Sequence, residues 1–108
     1  MARLTALIWI DAYRMRLELL GIPAFIVKRG DATAGAILVK LNTLDGKAQL
    51  FQRITAMDGS RPWTDLQSAA EAEIDAVIAR HRDRDPDLWV IEVEDRQGRH
   101  HLDAPGLA

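Results

Sequence analysis

Apolar residues recur at helical spacing from the start of the chain. Leu4, Ile8, Ala12, Met15 and Leu19 make one stripe, and Trp9, Tyr13, Leu17 and Leu20 make a second beside it. Asp11, Arg14 and Glu18 form a narrow polar stripe, and Gly21 with Pro23 supplies the stop. The pattern predicts a helix over residues 4–20 with more apolar surface than one packed face needs. With the first stripe turned to the core, Trp9, Tyr13, Leu17 and Leu20 would form an exposed interface patch. The alternative is a helix wedged into the core on two sides.

Three strand-like runs follow. Ala24 to Arg29 is rich in β-formers, Ala36 to Leu41 is a second run, and Ala48 to Thr55 alternates after the hairpin signal Asp45-Gly46. They predict a meander of adjacent antiparallel strands. Asp58 to Pro62 reads as a loop, with Trp63 as an apolar anchor behind it. A second helix is expected over residues 67–81, with Ser68 and Glu71 as a capping box and Asp85-Pro86 as its end. Leu88 to Glu94 reads as a strand, Gln97-Gly98 as a turn, and Arg99 to Leu102 as an optional last strand. The first and fourth strands are apolar on both faces, which predicts central positions.

The fold expected is therefore α+β, in the order α-β-β-β-α-β(-β). Its sheet is mixed and mostly antiparallel, with two helices packed on it, one on each face or both on one side. Residues 1–103 are expected to form one domain and residues 104–108 a flexible tail. A chain of 108 residues, 48% hydrophobic and 28% charged, suits one soluble core.

With no cysteine, disulfides, thiol nucleophiles and cysteine-ligated metals are excluded, and a cytoplasmic setting fits. The apolar start Leu4 to Ile10 runs into Asp11, Arg14 and Arg16, which is too short for a membrane span and resembles no export signal. Net charge is −2, but residues 1–61 carry +4 and residues 62–108 carry −6. Such opposed halves neutralise each other within a fold or across a symmetric dimer.

Several short motifs need weighing. Arg29-Gly30-Asp31 spells an adhesion tripeptide, yet it lies between two strands, where Gly30 and Gly35 bracket a polar turn. The turn accounts for each letter. His81-Arg82-Asp83 has a kinase triplet without the rest of that signature. Asp83, Asp85, Asp87 and Glu94 fall at calcium-loop positions, but Leu88 stands where that loop needs glycine. Asp85, Asp87, Glu92 and Glu94, with His100 brought back by the last turn, are the candidates for a divalent-metal site acting on phosphate esters. Glu94 occupies the position where a nuclease pattern needs lysine, and adjacent His100 and His101 point to opposite faces of a strand. Lys28, Lys40 and Arg53 around Phe51 are the candidates for a single-stranded nucleic-acid platform. Cross-strand pairing of these bases with Glu92 and Glu94 is the simpler expectation.

The runs GIPAFIVKRGDATAGAILVKLN, DGKAQL and DPDLWVIEVEDRQGRHHLD together resemble a family of small, mostly alphaproteobacterial proteins, domain of unknown function 1491. The resemblance extends from the first helix to Asp103. It implies no activity, cofactor or catalytic residue.

The preferred expectation is a non-enzymatic accessory or interaction domain without a cofactor, forming a homodimer or binding a protein partner through the first helix. The metal-dependent enzyme and the nucleic-acid module stand as alternatives.

Overall fold

The computed structural model describes residues 4–53 and 62–103. The loop expected at Asp58 to Pro62, apart from Pro62 itself, and the tail after Asp103 lie outside those residues. Helix α1 spans Ala6–Leu19 and is followed by strands β1 (Ala24–Lys28), β2 (Ile37–Asn42), β3 (Lys47–Arg53) and β4 (Trp63–Ala70), helix α2 (Glu71–Arg84) and strand β5 (Trp89–Glu94). The strands form one sheet in the order β1-β5-β2-β3-β4. Among the described residues only the β2–β5 pair is parallel, so the mixed, mostly antiparallel α+β architecture holds.

Alternation along the central strands divides the core into two layers. On one face Trp9, Ile10, Tyr13 and Leu17 of α1 pack against Ile37, Val39 and Leu41 of β2 and Ile91 and Val93 of β5. On the other face Ile74 and Ile78 of α2 pack against Leu38, Leu50 and Val90. The helices therefore cover opposite faces, and β2, buried at all six positions, is the sheet's middle strand.

Four sequence expectations change. β1 is an edge strand, with Phe25 and Val27 each 50% exposed; only its inward residues Ala24 and Ile26 join the core. It pairs with β5, not β2, because the parallel β2–β5 ladder inserts between them. A fourth strand, β4, takes the stretch read as the start of the second helix, and Ser68 lies in it opposite Gln49. The capping box accordingly does not form: Ala70 is the N-cap of α2 and makes no side-chain cap bond. Arg99 to Leu102 is not a strand. It folds over the α1 face, where Leu102 is buried and the Tyr13 hydroxyl donates to the His100 carbonyl at 2.5 Å.

The turn holding Arg29-Gly30-Asp31 is fixed by close approach, and neither of its glycines has positive φ. A Cβ on Gly30 or Gly35 would strike the Asp87 carbonyl and the Trp89 ring. The Trp89 indole N–H donates to the Asp31 carbonyl at 2.7 Å, and the Arg29 guanidinium lies 5.1 Å from that ring's centre. The Asp31 carboxylate accepts from the backbone N–H groups of Thr33 and Ala34. All three letters of the tripeptide are thus used to seat Trp89.

Candidate functional site

Thr5 caps α1 by accepting from the Ile8 N–H, and the helix presents its second stripe inward. Trp9, Tyr13 and Leu17 are fully buried, so these three expected interface residues are core residues. Aromatic stacking explains the choice. Trp9 and Tyr13 stack at 4.8 Å between ring centres, and Trp63 closes on Trp9 at 5.1 Å. Three large rings bury more apolar area than Ile8, Ala12 and Met15 could. Of the four expected interface residues only Leu20 stays exposed. The outer face instead carries Ile8, Met15 and Leu19, which are 54%, 64% and 83% exposed, with Ala12 between them. This stripe is the largest run of exposed apolar side chains on either helix. Asp11 and Glu18 border it on one side.

The acidic candidates do not converge. Asp83 is exposed in the last turn of α2, and Asp85 caps that helix, accepting from the Asp87 N–H at 3.0 Å. Glu92 and Glu94 lie toward the far end of β5, roughly 10 and 17 Å along the strand from its start at Trp89 at about 3.3 Å per residue, whereas Asp87 precedes the strand. His100 is on the opposite face of the sheet, its ring 4.7 Å from Phe51. Its Nδ1 accepts from the Leu102 N–H, and burial pushes its pKa down, which keeps the imidazole neutral. Among the described residues no group of three His, Asp or Glu side chains could hold a metal ion.

A different polar cluster forms where α2 crosses β2 and β5. Lys40, nearly buried, places its Nζ 2.7 Å from Glu71, 2.7 Å from Asp75 and 3.3 Å from Glu92. Asn42 donates to Glu71 at 3.0 Å and to Glu92 at 3.4 Å. Burial works to lower the Lys40 pKa, but the hydrogen bonds to Asp75 and Glu71 and the charge of Glu92 outweigh it and raise the pKa. Lys40 is therefore a fixed cation, unsuited to act as base or nucleophile at neutral pH. The cleft beside it, about 180 Å³, is lined by Val27, Ile78, Val90 and Arg82 as well as Lys40, Asp75 and Glu92. The sequence hinted at this cluster only through the expected pairing of Lys40 with Glu92.

The nucleic-acid platform is also dispersed. Lys40 faces α2, whereas Phe51 lies in the α1 layer, and Arg53 is held over the Trp9 and Trp63 rings at 5.2 and 5.3 Å. Lys28 donates to the Pro86 and Leu88 carbonyls and so braces the turn into β5.

These features define a small α+β domain with a helix on each face of a five-stranded sheet. Over residues 4–103 the sequence matches the family described as protein of unknown function (DUF1491), and the chain belongs to that family. A crystal structure of a DUF1491 family protein from Caulobacter crescentus CB15 is similar at TM-score 0.84 and 44% identity, covering 92% of this chain and 94% of that one. An NMR structure of a DUF1491 family protein from the same organism gives TM-score 0.82 at 42% identity, with 93% of each chain covered. The solution structure of protein Atu0922 from A. tumefaciens gives TM-score 0.74 at 29% identity, with 86% of each chain covered. No curated protein matches the sequence. No helix among the described residues is long and apolar enough to cross a membrane.

Proposed function

We propose that this chain is a protein-interaction domain that self-associates through the outer face of α1. The observation that supports the reading is the exposure of Ile8, Met15 and Leu19 in one stripe on a helix whose opposite face already fills the core. Contiguous apolar surface of this kind marks interaction sites. A cytoplasmic setting belongs to the same proposal and is supported by the absence of cysteine. The scattered acidic residues and the fixed charge of Lys40 give the catalytic alternative no such support.

Sedimentation equilibrium of the wild type and of Met15→Glu and Leu19→Glu tests it. Three or four side chains fall short of the roughly 800 Å² per partner of a standard interface, so a dissociation constant on the order of 10–100 μM is expected. Each substitution should leave thermal stability nearly unchanged and weaken association at least tenfold. A wild type that remains monomeric at millimolar concentration would overturn the proposal.

A further inference from the structure

The spacing of the exposed stripe says how two copies would meet. Ile8, Ala12, Met15 and Leu19 step by four, three and four residues, the alternation that lets two helices pack along a shared seam. At 100° per residue, Asp11 and Glu18 border the seam on one side and Arg16 on the other. We infer that α1 pairs with α1 of a second copy in parallel, with Asp11 of each chain facing Arg16 of the other. This inference rests on the self-association proposed above.

Charge separates the two ways of pairing. In a parallel pair each flanking residue meets the residue five positions on in its partner. That relation joins Asp11 to Arg16 twice by symmetry. In an antiparallel pair like flanks meet, which sets Asp11 against Glu18 and opposes like charges. The parallel arrangement alone is complementary.

Two variants, each checked for folding by circular dichroism, test the pairing in low salt. Asp11→Arg places two like-charged contacts across a parallel seam and should weaken self-association roughly tenfold. The same substitution would set Arg beside Glu18 in an antiparallel seam and strengthen it. Arg16→Asp should weaken the homodimer similarly. An equimolar mixture of the two variants restores both opposite-charge contacts, so it should associate about as tightly as the wild type. A dimer that tightens with Asp11→Arg, or a mixture no stronger than either variant alone, would overturn the parallel pairing while leaving self-association standing. Absence of any wild-type dimer would overturn both.

Discussion

Replacing Trp89 by alanine probes the densest part of the fold. The side chain is fully buried in the layer beneath α1, seated against Gly30 and Gly35. Deleting a buried large aromatic costs about 3–5 kcal/mol. The substitution also removes the 2.7 Å hydrogen bond to the Asp31 carbonyl, and a buried acceptor left unpaired adds about 1–3 kcal/mol. Small domains have about 5–15 kcal/mol in all. Trp89→Ala should therefore be barely folded, with urea unfolding shifted to a far lower midpoint. Trp89→Phe keeps most of the apolar area and loses the donor, so its cost should fall near the hydrogen-bond term alone, about 1–3 kcal/mol. One kcal/mol shifts the melting point by roughly 4–8 °C in a domain of this size. An alanine variant melting within a few degrees of the wild type would refute the placement of Trp89 and the strand order built around it.

Three further outcomes are expected. Gly30→Ala should destabilise by about 1–3 kcal/mol in chemical denaturation, because the added carbon meets the Asp87 carbonyl, a backbone group. Lys40→Ala strands three carboxylates around an empty position. A fully buried broken pair costs about 3–5 kcal/mol, so with partly exposed partners the loss should be nearer 2 kcal/mol in urea titration. Since the Lys40 pKa is raised, this contribution is complete below the ordinary lysine value and disappears only as pH rises past it. Stability should thus show no Lys40-dependent loss between pH 7 and 10. Hydrogen bonds from Arg99 hold the Asp95 carboxyl down at about 2. Its contribution is full above the ordinary value of 3.8 and is lost as pH falls toward 2, so Asp95→Asn should flatten the acid limb of a melting-point profile.

Much of the fold was legible in residue patterning, and the departures have physical reasons. The alternation of Trp89, Ile91 and Val93 against Val90 and Glu92 specified a strand with two different faces, and it is the pivot of the sheet. Ser68, Ala69 and Ala70 have weak strand propensity and read as helix; pairing with Gln49, Ala48 and Lys47 overrides it. The neighbour of β1 was hidden because an antiparallel partner more than 60 residues away carries no local signal. On α1 the period was clear and the direction was not. Two apolar stripes lay side by side, and the packing of Trp9 on Tyr13 and Trp63 decided which turned inward. The Lys40 cluster was invisible as a group because its five members, Lys40, Asn42, Glu71, Asp75 and Glu92, come from three elements.

Self-association through α1 is open to one direct measurement, because the chain has no cysteine of its own. Met15→Cys puts a single thiol in the middle of the exposed stripe, and Asp83→Cys puts one at the exposed end of α2 as a control. A disulfide needs Cα atoms within about 7 Å, so mild oxidation followed by non-reducing electrophoresis reads contact across the interface. Met15→Cys should become a covalent dimer while Asp83→Cys remains monomeric under the same conditions. Equal and slow cross-linking of the two variants would contradict it.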